Sequence, residues 1–278
     1  QLCEKLYGQK LQLTRTTADA FGRPANQWKY NGVVVGTYAK QPTLTYTGEV
    51  KGKQIYADLG QPDLTAVTVT SKKDGLGGVN GWTGSSYVID TDTMYKKADI
   101  AKNQNSTGAS HKGAVTEVYF DAAGNTLDII SYTYYLAKAN SDYNTKDEKV
   151  TVALQAGGAS FTKTLTSSNL SSDDFAIVKD VKKDDMLVVT LAHNAGTSYE
   201  IKSVAPATKV ENVKVSAARN NDYVVANGTK YEYAYAATKD ASFVGQPMMS
   251  SSTSYTLNTA AYTLFLDPNG YVLGVDGY

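Results

Sequence analysis

Histidine and cysteine, the side chains that most often serve as acid-base groups, nucleophiles or metal ligands, are scarce in this sequence. The 278 residues include two histidines, His111 and His193, and one cysteine, Cys3. Both histidines have turn-forming neighbours, and Cys3 has no second cysteine to pair with. A zinc site needs three or four imidazole or thiolate ligands in one place. The sequence therefore predicts no metal centre or nucleophile based on these residues.

Paired carboxylates are the one acid-base arrangement that needs no histidine, as in glycoside hydrolysis. The candidates are Asp173 with Asp174, Asp184 with Asp185, and Asp90 with Asp92. Adjacent residues on a strand point to opposite faces, and these pairs lie at turns or strand entries. We therefore expect these aspartates to be solvated turn caps and not catalytic residues. A two-carboxylate hydrolase is the least favoured of the three functions considered.

Calcium is the ion best suited to acidic loops, because it prefers hard oxygen ligands. Three loops could supply such oxygens: Asp90 with Asp92, Asp142 with Asp147, and Asp121 through Asn125. None follows the twelve-residue calcium-loop pattern. We expect no cofactor, and a structural calcium ion stays as the alternative.

Aromatic side chains are the remaining candidates for ligand or partner contact. Trp28, Trp82 and the row Tyr231, Tyr233 and Tyr235 could stack on sugar rings. Alternation along a strand explains the tyrosine row as core packing, and Trp28 beside an Asn-Gly turn is typical of a core anchor. Trp82 lies in a Gly-rich segment, where contact with a ligand or a neighbouring chain is the competing interpretation.

Charge and hydropathy argue against two classes of partner. Lys plus Arg and Asp plus Glu are equal at 27 each, so no net field attracts a polyanion, and the basic residues form no continuous stripe. Nucleic acid is therefore not an expected partner. The sequence also lacks an apolar run of the roughly 18 residues that a membrane helix needs, so we expect no membrane insertion of this fragment.

The elements that must position these residues are predicted to be short β-strands. Tyr, Thr, Val and Gly are abundant, and apolar residues alternate with polar ones from about residue 113 onward. Asn31-Gly32 and Asn227-Gly228 predict two-residue hairpins, because this dipeptide readily takes positive φ angles. The segments 121–124 and 267–270 predict four-residue turns that an Asp caps, with a glycine free to be left-handed. The fold class is all-β, with minor helix.

Similar segments recur along the chain, which indicates tandem modules. Residues 118–124 resemble residues 264–270, and residues 148–152 resemble residues 211–215. We predict small β-barrel or β-sandwich modules at 1–136, 137–205 and 206–278. The first carries an insertion at about 52–113, helical at 53–59 and at 91–102, and the third resembles the second.

The motifs also resemble a known family. The segments that carry the likeness are 21–25, 28–30, 36–38, 45–47, 56–60, 116–121 and 134–138. They are similar to the extracellular region of S-layer homology domain proteins from gut Clostridia, within the Firmicutes. The resemblance implies a Gram-positive cell-surface location and a surface-layer role, with partners among other envelope or S-layer proteins. The anchoring repeats of that family are not recognisable, so we expect anchoring segments to lie outside this chain.

Together these observations predict an extracellular, non-enzymatic structural or spacer region of an S-layer-type protein in the cell wall. The alternative is a module that binds a glycan or a cell-wall polysaccharide, with Trp28 and Trp82 as its contact residues. That alternative requires a shallow groove with two or more exposed aromatic rings.

Overall fold

The computed structural model describes residues 11–17, 23–60, 64, 66–72, 112–155, 164–193, 198–219, 222–234, 237 and 261–277. In this part, strands dominate and form several antiparallel sheets, which confirms the predicted all-β class. None of the described sheets closes into a barrel. No helix among these residues has the length and apolar character needed to cross a membrane.

The chain divides into two compact units. The first comprises Gln1–Ser110 and Val115–Tyr132, and the second comprises His111–Ala114 and Thr133–Tyr278. Two of the predicted module boundaries fall inside strands, at residue 136 in Thr126–Ala139 and at residue 205 in Tyr199–Pro206. The division into three modules stays a prediction.

The first unit contains a small antiparallel sheet and part of a larger sheet. The small sheet has the order β1-β2-β3, and in the larger sheet β4 pairs with β6, β6 with β7, and β5 runs parallel to β7. These elements are β1 (Leu11–Thr17), β2 (Pro24–Tyr30), β3 (Val33–Ala39), β4 (Leu44–Thr47), α1 (Gly52–Asp58), β5 (Thr68–Lys72), β6 (Ala114–Asp121) and β7 (Thr126–Ala139).

The apolar core of the first unit lies on one face of β6 and β7. Side chains alternate across a strand, so Val118 of β6 and Leu127 and Ile129 of β7 share this face. Ile55 of α1 packs there and is completely buried. A helix of seven residues is marginal on its own, so this burial is what stabilises α1. The helix predicted at 53–59 is thereby confirmed.

The opposite face of β6 and β7 carries a buried carboxylate. Glu117 accepts hydrogen bonds from Arg23 Nε at 2.8 Å and Nη2 at 3.3 Å, and from the Tyr119 hydroxyl at 2.7 Å. The Tyr132 hydroxyl approaches it at 3.5 Å, and the Arg23 guanidinium lies 5.1 Å from the centre of the Tyr132 ring. Arg23 directly precedes β2, so this network fixes the start of β2 against β6 and β7.

The second unit continues β7 and adds ten strands. β10 pairs with β7 and β11, β8 pairs with β7 and β9, and two three-stranded sheets follow with the orders β12-β16-β17 and β13-β14-β15. The strands are β8 (Lys149–Leu154), β9 (Asn169–Ser171), β10 (Met186–His193), β11 (Tyr199–Pro206), β12 (Thr208–Val213), β13 (Val215–Arg219), β14 (Tyr223–Ala226), β15 (Thr229–Glu232), β16 (Tyr262–Leu266) and β17 (Val272–Gly277).

The predicted turns are present, with one correction. Asn31-Gly32 joins β2 to β3 and Asn227-Gly228 joins β14 to β15, and all four residues have positive φ. In the turn that begins at Asp121, the left-handed residue is Asn125 and not Gly124. Glycine at 124 makes room for the Asp121 carboxylate, because a Cβ there would lie 2.6 Å from Asp121 Oδ2.

Two features of the strands differ from the sequence interpretation. The predicted insertion contains β5, whose parallel pairing with β7 leaves no local sequence signal. Residues 148–152 lead into a single strand, β8, whereas the similar residues 211–215 end β12 and begin β13 in another sheet. Asn212, with φ +55°, lies at the irregularity that ends β12. The helix predicted at 91–102 lies outside the described residues.

The Arg23–Glu117 pair gives the first testable prediction. Glu117 is buried and Arg23 is partly buried, so removing either partner leaves a poorly compensated charge, and we expect Glu117→Ala and Arg23→Ala each to lower the free energy of unfolding by about 2 kcal/mol. The double variant should lose less than the sum of the two losses, because the partners are coupled. Urea unfolding of the four proteins measures both quantities.

Lys138→Ala supplies the control for this cycle. Its 3.4 Å pair with Asp184 is exposed and should contribute less than about 1 kcal/mol. A loss for Glu117→Ala no larger than that for Lys138→Ala would show that the Glu117 network does not organise the unit.

Candidate functional site

The small sheet of the first unit presents apolar and aromatic side chains on one face. The register places Trp28 of β2 opposite Leu13 of β1 and Gly36 of β3, and places Asn26 opposite Tyr38. Side chains at directly opposed positions share a face. Leu13 is 52% exposed and Tyr38 is 56% exposed, whereas Trp28 is half-buried. An aromatic residue of the centre strand therefore lies beside an exposed ring at the sheet edge.

Tyr38 lies against the backbone of its own strand. Its Cε2 and hydroxyl oxygen would each be 2.8 Å from a Cβ built on Gly36. No side chain other than hydrogen fits beneath this ring, so Gly36 is what lets Tyr38 lie flat along β3. The result is a smooth apolar surface with a hydroxyl at its border.

Strand β3 is exposed along most of its length. Val33, Val34 and Val35 are 66%, 49% and 46% exposed. Val35 is the extra residue of a β-bulge, because Trp28 pairs with Gly36 and Lys29 with Val34. Consecutive exposed valines place apolar surface on both faces of the strand.

A shallow groove of about 370 Å³ lies in the second unit, between the β9 region and β11. Hydroxyl and amide groups line it together with charged side chains and one aromatic ring. The lining residues that could contact a ligand are Thr166, Asn169, Asp174, Phe175, Glu200 and Lys202. Glu200 is held by Lys202 at 2.6 Å, so one of the two groove carboxylates is already neutralised by a cation.

A buried carboxylate also occurs in the second unit, in the turn between β16 and β17. Asp267 is 1% exposed, and its Oδ1 accepts hydrogen bonds from the backbone N–H groups of Asn269 at 2.8 Å and Tyr271 at 3.0 Å. Its Oδ2 has no partner among the described residues, and the same holds for Tyr233 Oη and Asn269 Nδ2. Burial raises the pKa of Asp267 to about 6, against the effect of the backbone donors. Burial likewise raises the pKa of Tyr233.

The predicted contact residues are described only in part. Trp28 lies half-buried in β2, and Trp82 lies outside the described residues, so their joint contact surface stays a prediction. Tyr233 is buried at 4% exposure and Tyr231 is half-buried, whereas Tyr235 lies outside the described residues.

The predicted acidic loops are engaged within the chain. Asp142 Oδ1 accepts the Lys183 N–H at 2.8 Å, Asp147 Oδ2 accepts a hydrogen bond from Asn144, and Asp185 Oδ2 accepts the Lys182 N–H. The Gly124 N–H, together with Lys40, holds the pKa of Asp121 below its usual value. Among the described residues, no three His, Cys, Asp or Glu side chains come together to hold a metal ion. Asp90 and Asp92 lie outside them.

One histidine requires a correction. His193 was expected in a turn, but its backbone ends β10 and pairs with Tyr199 of β11. The hairpin pairing extends the strand two residues beyond the alternating segment that ends at Leu191. His111 lies outside the described residues.

Two of these features have no signal in the sequence. Three consecutive valines are typical of a strand that is buried on both faces, so the sequence does not predict the exposure of β3. The groove lining comes from three separate segments and has no local signal.

These features define an all-β protein with an exposed apolar sheet edge and a polar groove. Comparison with family models, curated proteins and solved structures finds no match to this chain.

Asp267 gives a pH-dependent prediction. Its folded-state pKa lies above the usual value near 3.8, so the native state binds the proton more tightly than the unfolded chain does. The ionised form therefore disfavours folding, and this cost develops as the pH rises from about 4 to about 6. Asp267→Asn removes the titration and keeps a side-chain oxygen for the turn N–H groups.

We expect the stability of Asp267→Asn relative to the wild type to increase between pH 4 and pH 7, by on the order of 2 to 3 kcal/mol. Urea unfolding at several pH values measures the difference. Asp173→Asn, at an exposed turn position, is the matched control and should show no comparable change. A difference for Asp267→Asn that does not vary with pH would contradict the argument.

Proposed function

We propose that this chain is a non-catalytic structural region of an S-layer-type protein exposed on a bacterial cell surface. The observation that carries the proposal is the state of its buried carboxylates. Glu117 and Asp267 are the acidic residues among the described buried side chains, and both are bonded to groups that build the fold. Arg23 neutralises the first and backbone N–H groups hold the second, so each has a structural use.

The exposed surface supports the same proposal. The sheet β1-β2-β3 presents valine, tyrosine and leucine to solvent, which is typical of a surface that contacts other macromolecules. A chain with equal numbers of positive and negative charges has no long-range preference for charged partners. Partners of such a surface are other envelope proteins, in keeping with the family resemblance.

Cell-surface exposure can be tested on intact cells of the source organism. We expect a membrane-impermeant amine-reactive biotin reagent to label the parent protein, because lysines such as Lys179, Lys182 and Lys183 are exposed. A cytosolic protein of the same cells must stay unlabelled. Labelling of the parent protein only after lysis would contradict the proposed location.

The non-catalytic part of the proposal has a separate test. Asp174 and Glu200 are the two acidic residues that line the described groove, and they are the pair to test for hydrolysis of a glycan. The purified chain should release no reducing ends from cell-wall polysaccharide. Release that disappears in Glu200→Gln would establish the hydrolase alternative.

Glycan binding is a second candidate function, favoured by the common face of Trp28 and Tyr38. Flat aromatic faces stack on sugar rings, and Tyr38 is 56% exposed. If cell-wall polysaccharide binds on this face, Tyr38→Ala should weaken binding by about tenfold, or about 1.4 kcal/mol. Affinity electrophoresis or calorimetry measures the change.

Phe175→Ala is the matched variant for this experiment, because Phe175 is the aromatic ring of the groove in the second unit. A loss of binding in Phe175→Ala but not in Tyr38→Ala would indicate that the glycan binds in the groove. Equal binding by wild type, Tyr38→Ala and Phe175→Ala would contradict both locations.

A further inference from the structure

The outer edge of β3 is open in the part of the chain that the structure describes. The small sheet has the order β1-β2-β3, and the described strands include none that pairs with β3 on the side away from β2. An open edge presents unpaired backbone donors and acceptors, and it is a template for another strand.

This edge lacks most of the features that usually prevent pairing. Proteins protect edges with charged side chains, with proline, with β-bulges, or by keeping the edge strand very short, and of these β3 has only the bulge at Val35. Val33–Ala39 has seven residues, and none of them is charged or proline. The apolar side chains of its first half are the most exposed large hydrophobic residues of the described chain, together with Leu13 and Tyr38.

The other edge strands of the described sheets do carry such protection. Strands β4 and β9 have four and three residues. The remaining edge strands each contain at least one charged residue. Examples are Arg15 in β1, Lys202 in β11, Lys209 in β12, Arg219 in β13, Lys230 in β15 and Asp276 in β17. Among the described sheets, β3 is therefore the one edge strand of more than four residues without a charged side chain.

We propose that β3 pairs antiparallel with β3 of a second copy of this chain. An uncharged strand offers nothing that would select a charged partner, and it can meet an identical strand without like-charge repulsion. The zero net charge of the whole chain likewise imposes no repulsion between copies. The contact is isologous, with a two-fold axis that passes beside Gly36.

The residues of β3 are self-complementary in this arrangement. With Gly36 opposite its own copy and Val35 the unpaired bulge residue of each strand, Val34 lies opposite Thr37 and Val33 lies opposite Tyr38. Pairs of aromatic and β-branched side chains stabilise an antiparallel sheet by about 0.2 to 1 kcal/mol each. The two small sheets then form one continuous sheet, and the exposed valines of both copies become buried at the junction.

The association deepens the proposed surface role, since a surface layer needs contacts between copies, but the pairing rests on β3 alone. It uses the edge of the sheet, whereas a glycan would bind on the face that holds Trp28. A failure of surface labelling would therefore leave the pairing of purified chains untouched. Failure of the pairing would likewise leave the cellular location untouched.

Sedimentation velocity of the purified 278-residue chain tests the pairing. A single strand pair with a few apolar contacts is a small interface, so we expect reversible dimers with a dissociation constant of about 10 to 100 μM. Val35→Glu places like charges near the two-fold axis and should weaken dimerisation by at least about tenfold. Val35 is at a bulge and 46% exposed, so the substitution should leave the circular dichroism spectrum unchanged.

Ala217→Glu is the matched control, because Ala217 is also exposed and lies beside a bulge in an edge strand, β13. This variant should dimerise as the wild type does. Hydrogen exchange of the wild type supplies a readout that needs no variant: amides of β3 should become more protected as the protein concentration rises. Wild-type protein that is monomeric throughout, dimers that Val35→Glu leaves intact, or exchange in β3 that is independent of concentration would each overturn the proposal.

Discussion

The structure of the first unit depends on the desolvation of Glu117. A carboxylate removed from water is costly unless a cation and hydrogen-bond donors replace the solvent, and three side chains do so here: Arg23, Tyr119 and Tyr132. Arg23 comes from the chain just before β2, and the other two come from β6 and β7. The requirement to pair this charge therefore determines where the small sheet begins against the larger one.

The two faces of β6 and β7 are consequently stabilised by different interactions. On the face with Val118 and Leu127, the burial of apolar surface stabilises the packing, but this interaction is non-directional and fixes no particular orientation. On the face with Glu117, a bidentate ion pair fixes orientation, because the guanidinium and carboxylate must align. A second ion pair on the same side, between Arg15 of β1 and Asp128 of β7 at 3.0 Å, ties the first strand of the small sheet to the same face. With β1 and the start of β2 held in this way, β3 is left at the outside.

Local sequence determined most of the strands and turns but not the environments of the functional groups. Alternation predicted β8, β10, β16 and β17, and Asn-Gly predicted two hairpins, because these depend on nearest neighbours only. Asp121 and Asp267 begin similar turns, yet one is half-exposed with a lowered pKa and the other is buried with a raised pKa. The difference arises from residues that are distant in sequence: a Cβ built on Gly113 would lie 3.2 Å from Asp267 Oδ2, so the chain at Gly113 helps to bury this carboxylate. No local sequence pattern indicates that contact. The parallel strand β5 was missed for the same reason.

The apolar character of β3 is not explained by folding. Side chains that stay about half exposed gain only a fraction of the 1.5 to 3 kcal/mol that full burial of a valine or leucine provides. Threonine would satisfy the strand conformation about as well, and a lysine would add protection against unwanted pairing. Valine at three successive positions adds little to the stability of a folded monomer and leaves an apolar edge that favours association. It gives an assembled sheet a dry junction, which is the state in which these residues would contribute their full burial energy.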